Sequence, residues 1–398
     1  MMIFKSACLY NAFRWALFNF IIMAAAGVLL RYMQLFPAGE LNYLFILHSH
    51  SHFAFAGWMF LALGMLIVFQ FFSKEWFVQR FRTIAVLTMI CAFGMLFSFA
   101  YQGYKAISIG FSTMFLLITY WFAFTVYRDP AVRNNSITAP LIKGAVFFLC
   151  LSSIGPLMLG PIMVSGIERG TPLYQNPIYF YVHFQLNGWM LLASVGLLAA
   201  TYLKAGEMED LGSVQRWLPV FILSALPLFG IFTFWGKPPQ WVYFIGYTGA
   251  LLNMVSWFVL VSRCSRYVEK LSILAKTALL AVSLKVVLQV LICLPSVGDW
   301  VFGNRNLIIG YVHLITLGCI TPVILDLFEK NGFFGNANNL KVIHFGYLAV
   351  VVLYLGLLFG QPLLGYFGIL VPHMQICLLV ISVMFVVAGL AYYKRVRF

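Results

Sequence analysis

The run NYLFILHSHSHFAFAGWMFLALGMLIVFQFF (residues 42–72) decides the fold. It is long and apolar enough to cross a bilayer as one helix, and it contains no Asp, Glu, Lys or Arg. Yet His48, His50 and His52 stand at every second position within it. Polar side chains inside a bilayer are costly and normally face a bundle interior or a cavity, so these three demand a reason.

The rest of the chain repeats the apolar character. Of its 398 residues 63% are hydrophobic and only 9% charged, with a mean hydropathy of +0.94. Soluble domains carry about a quarter charged residues. Spans are expected at 12–33, 42–72, 82–102, 104–127, 139–165, 176–203, 214–235, 239–262, 271–295, 306–328, 338–361 and 366–393. Continuous apolar runs of this length lack the two-residue alternation of a membrane barrel. The fold class is therefore all-α, a polytopic membrane protein with twelve transmembrane helices in a single transmembrane domain, 1–398.

The net charge of +14 follows topology. Lys74, Arg80 and Arg82 follow span 2, Arg128 and Arg133 follow span 4, Arg263, Arg266 and Lys270 follow span 8, and Lys394, Arg395 and Arg397 close the chain. The alternate loops hold about one cation each: Arg31, Lys105, Arg169, Lys237, Arg305. Because cytoplasmic loops collect Lys and Arg, both termini are expected in the cytoplasm and the partner is the lipid bilayer, with no nucleic acid. The seven cysteines are scattered without a CxxC pair and indicate neither a disulfide framework nor a thiolate metal site. Lys5 and Arg14 precede a full-length first span, which reads as retained.

The opening signature recurs. HFAFAGWMFLA begins at His52 and HFQLNGWMLLA at His183, and HLITLGC begins at His313. All share His-x4-Gly, at near-equal intervals of about 130 residues. Three pseudo-repeated groups of four helices are expected, approximately 1–135, 136–265 and 266–398, each with a histidine on its second helix. The topology puts His48, His50, His52, His183, His313 and His373 in the outer half of the membrane. At about 100° per residue His48 and His52 share a face, while His50 points roughly 200° away. The glycine thins each helix, as a flat porphyrin or a close helix crossing requires.

Haem needs an apolar slot, imidazoles at one depth on different helices, and cations at its propionate edge. Here 18% of residues are aromatic, and Arg31 and Arg305 lie near the outer helix ends. A bare zinc or copper ion needs three or four close ligands, usually with carboxylate or thiolate, and none accompanies these histidines. Haem is the expected ligand. A transition-metal ion transporter using the outer-half histidine layer is the alternative, and a haem-handling protein without redox turnover a third.

This pattern resembles subunit I of the haem–copper oxidase superfamily, nearest its nitric-oxide-reductase-like branch and related twelve-span haem proteins. The resemblance implies a bacterial cytoplasmic (inner) membrane, b-type haem with copper as a second group, and a cytochrome or quinol electron donor. It makes His52 and His313 the axial ligands of a low-spin haem and puts His183 where the family binds copper. The chain departs from the family at three places. In YVHLITLGC, Tyr311 stands where the family has a first histidine; helix 7, SVQRWLPVFILSALPLFGIF, lacks paired histidines; and Asn187 follows His183 by four. The expected activity is thus electron transfer or handling of a diatomic gas (NO or O2), oxidoreductase-like, without the dinuclear oxygen-reducing centre. His50-Ser-His52 supplies the His-x-His missing from helix 10, so His50 or His48 would serve a second cofactor beside His183.

Other polar residues have plainer readings. Lys285, deep in span 9, with Gln289 one turn on, serves a proton path or bonds a neighbouring carbonyl. His344, beside Lys341, is expected to be solvated. For His373 cofactor and interfacial roles stand open. Gly155-Pro156 and Gly160-Pro161 are expected to kink helix 5.

Overall fold

The computed structural model describes residues 2–129, 132, 137–203, 210–335 and 339–396. Among these, twelve helices are long and apolar enough to cross a membrane. They are α1 Asn11–Tyr32, α2 Tyr43–Phe71, α3 Gln79–Gln102, α4 Ala106–Arg128, α5 Thr138–Val164, α6 Pro172–Tyr202, α7 Leu211–Gly236, α8 Gln240–Arg263, α9 Ile273–Leu291, α10 Arg305–Lys330, α11 Leu340–Tyr366 and α12 Met374–Tyr393. The protein is an all-α integral membrane protein, because only helices satisfy every backbone group within such segments.

Local chemistry sets several starts. Asn42 Oδ1 accepts from the amides of Leu44 and Phe45 at 2.9 and 3.3 Å, capping α2. Ser272 does the same for α9 through Ala275 N at 3.1 Å, and Pro172 occupies the first turn of α6. Two boundaries differ from the hydropathy reading. α9 stops at Leu291, and a separate helix, Pro295–Gly303, follows. α11 runs on to Tyr366, and α12 begins only at Met374. Gly368 with φ +75° and His373 with φ +54° turn the chain between them, and hydropathy cannot see a turn made of apolar residues.

Three helices are enclosed far more than the rest. Within their most apolar windows 83% of α2, 83% of α6 and 72% of α10 is buried, against 33–56% for the other nine. Each contains a π-helical run directly after its histidine: Ala54–Phe60 after His52, Phe184–Met190 after His183, and Leu314–Ile320 after His313. A wider turn loosens the carbonyl ladder, and such runs are rare and concentrate at functional sites. At the first, Asn19 Nδ2 donates to Gly57 O at 2.6 Å.

The tertiary contacts form two units, Met1–Phe122 with Ile324–Phe398, and Ala123–Val323. In the first, α1 packs on α12 and α2, α2 on α3, and α11 on α12. Here His344 proves buried, not solvated, at 3% exposure. It donates Nε2–H to Glu329 at 3.1 Å and hydrogen-bonds the Tyr392 hydroxyl through Nδ1 at 2.7 Å. Partners on α10 and α12, not the adjacent lysine, set its surroundings. In the second unit α5 packs on α6, α7 on α8, α8 on α9, and α9 on the π run of α10. α5 breaks at Ser153, just before the first Gly-Pro pair. Gly155 then meets the Pro177 backbone so closely that any Cβ would overlap its carbonyl oxygen.

Candidate functional site

In the first unit the histidines of α2 divide between its two sides, as a step of about 100° per residue requires. His48 and His52 face α3 and the turn that follows it. His52 stacks on Phe99, with centroids 4.3 Å apart and planes 13° apart, and His48 meets the Tyr104 ring edge-on at 4.7 Å. His52 Nε2 and the Tyr104 hydroxyl share a hydrogen bond of 2.8 Å.

His50 faces α1. Its Nδ1–H donates to Met23 O at 3.1 Å. That bond holds the ring in one tautomer and leaves Nε2 as the lone-pair nitrogen, with no hydrogen-bond partner among the described residues. Ligating histidines are held in this way by a carbonyl at the far ring nitrogen. Gly27, one turn further along α1, leaves room beside the ring: a Cβ there would lie 3.5 Å from His50 Cε1.

Arg31, a further turn on, is 5% exposed. It donates to Tyr354 Oη at 2.8 Å and Gln34 Oε1 at 3.2 Å, and its guanidinium lies 5.6 Å from the Tyr354 ring centre. None of these partners is an anion. A buried cation without a counter-charge is expensive, and a propionate, or another carboxylate, would fork onto it well. The donor set therefore fits haem on two counts: an oriented imidazole whose Nε2 has no partner among the described residues, and a buried arginine whose partners there include no anion.

In the second unit His183 is 1% exposed, and both ring nitrogens are engaged. Nε2–H donates to Ala225 O at 2.8 Å, and Nδ1 accepts from Asn187 Nδ2 at 3.2 Å. Asn187 Oδ1 in turn accepts from Gln289 Nε2 and from the Tyr311 hydroxyl, each at 3.3 Å, and Gln289 Nε2 also reaches Tyr311 Oη at 2.7 Å. His313, on α10, donates Nδ1–H to Ile309 O at 2.8 Å, so Nε2 is its lone-pair nitrogen. Arg305 lies exposed at the start of α10, and His373 is exposed in the turn before α12. Among the described residues no three His, Cys, Asp or Glu side chains come together as a metal-binding group.

Several contributors carried no signal in the sequence. Tyr104 and the Met23 carbonyl are ordinary residues until the fold places them against His52 and His50. Gly27 was one glycine among 32. Its distance of four from Arg31 on α1 was the only available hint. Neither the protein-family models nor the curated proteins contain a match to this chain.

Proposed function

We propose that this is a haem-binding integral membrane protein that transfers electrons or handles a diatomic gas, as its resemblance to oxidase subunit I implies. One observation carries the reading: His50 has Nδ1–H spent on Met23 O and Nε2 without a partner among the described residues, and two turns beyond Met23 on α1 stands a buried arginine whose hydrogen-bond partners there are neutral. His50 would hold the haem through its Nε2 nitrogen, and Arg31 would hold a propionate. His52, whose Nε2 is already bonded to Tyr104, would pack beside the group and not ligate it. His183, bonded at both nitrogens, would organise the polar interior of the second unit.

Bound haem supplies a one-electron couple and an iron that can hold a small gas. The chain's own part would be to orient the imidazole through the Met23 carbonyl, to neutralise a propionate through Arg31, and to exclude water with α1 and α2. The placement of both termini in the cytoplasm, read from the loop cations, belongs to this proposal.

The test is the absorption spectrum of purified protein together with metal analysis. A Soret band and near-stoichiometric iron are expected. Colourless protein that retains zinc or copper would overturn the haem reading and favour metal-ion transport.

A further inference from the structure

The second unit holds a cation that the proposed haem site does not use. Lys285, in the middle of α9, is 0% exposed. Its hydrogen-bond partner among the described residues is Asn253 Oδ1 on α8, at 3.3 Å. Asn253 Nδ2 is spent on Ser224 Oγ at 2.8 Å, and Ser224 on Phe221 O at 2.7 Å. An ammonium has three protons to give, so two have no acceptor among the described residues. The spans of this unit (138–164, 172–202, 211–236, 240–263, 273–291 and 305–323) contain no Asp or Glu at all. The titratable groups near Lys285 from the elements packed around it are Cys319 on α10 and His183 on α6, and neither is a built-in counter-anion.

One turn along the same face of α9 stands Gln289, also 0% exposed. Its amide nitrogen serves Asn187 and Tyr311, but its Oε1 has no partner among the described residues. Buried polar groups are almost always satisfied. Spare donors on Lys285 and a spare acceptor on Gln289 are complementary demands, about 5–6 Å apart at the Cβ atoms. A small molecule with an acceptor end and a donor end meets both.

We propose that Lys285 and Gln289 form a binding site for a small monovalent oxyanion, which provides the counter-charge to Lys285. An anion that carries a proton, such as bicarbonate, is preferred because its O–H can donate to Gln289 Oε1. Chloride satisfies the lysine alone. The site is independent of haem, since it uses neither His50 nor Arg31.

The test is thermal unfolding of the purified full chain, titrated separately with bicarbonate, formate and chloride. Ionic strength is held constant with bulky gluconate. For the wild type the midpoint should rise and saturate, with bicarbonate the tightest. Lys285→Met should weaken the apparent affinity by about tenfold or more. Asn253→Asp places a carboxylate at the 3.3 Å position and should abolish the anion dependence even if Lys285→Met does not fold. Gln289→Leu should remove the preference for bicarbonate over formate. A wild type with no saturable shift overturns the proposal, and so does an unchanged shift in Asn253→Asp. Haem content, read on the same samples, should be unaffected, which separates this result from the outcome for His50.

Discussion

The glycine that follows each histidine by five positions can serve a cofactor or a helix crossing, and a methyl group at two of them tells these apart. A Cβ built on Gly188 would lie 2.5 Å from Phe148 Cβ and 2.7 Å from its Cγ. Real carbon contacts of this kind essentially never fall below 3.0 Å. Phe148 Cβ is fixed to the backbone of α5, so rotating its ring brings no relief and α5 must move from α6 by several tenths of an ångström. Overpacking of this kind costs about 1–3 kcal/mol. At Gly57 the nearest atoms are the ring edge of Phe53, at 3.1–3.3 Å, on the same helix. A ring edge can swing, so Gly57→Ala should cost less than about 1 kcal/mol. Thermal unfolding in detergent, followed with a thiol-reactive dye that reads buried Cys91 and Cys319, compares the two. Gly188→Ala should unfold several degrees below the wild type and Gly57→Ala close to it. Equal midpoints, or a larger loss at Gly57, would refute the assignment of Gly188 to the α5–α6 crossing.

Three further outcomes follow from individual bonds. Tyr104→Phe removes the partner of His52 Nε2 and should cost about 1–3 kcal/mol while haem content stays constant; loss of haem would instead move His52 into the ligand set. Asn19→Leu leaves Gly57 O without its donor in the π run and should destabilise by about 1–3 kcal/mol, a value checked by the same dye assay; no loss would mean that the widened turn needs no outside donor. Glu329→Gln removes the charge facing His344, but the Glu329 side chain is 38% exposed, so the cost should stay under about 1 kcal/mol. A larger drop in unfolding midpoint would make that pair a principal support of the first unit.

Hydropathy made the twelve spans legible because the bilayer demands long apolar helices and little else. It failed between Tyr366 and Met374, where a turn built around Gly368 and His373 is as apolar as the helices beside it. The π runs were not legible either, since composition does not report which carbonyl an amide selects; the recurring glycine was their one trace. His48, His50 and His52 could be assigned to opposite faces from spacing alone. Which of them keeps a bare nitrogen depended on Met23 and Tyr104, which lie outside the segment, one before it and one after it in sequence. Lys285 and Gln289 stood out as polar residues in an apolar span. Their partners Asn253, Ser224, Asn187 and Tyr311 come from four other helices or turns, and no local pattern links them.

In the proposed function His50, oriented by Met23 O, holds the haem iron. The pyridine haemochrome spectrum of purified wild type, His50→Ala and His52→Ala measures it most directly. A b-type haem in the wild type, lost from His50→Ala and kept by His52→Ala, is the predicted result. Undiminished haem with an unshifted spectrum in His50→Ala would contradict it.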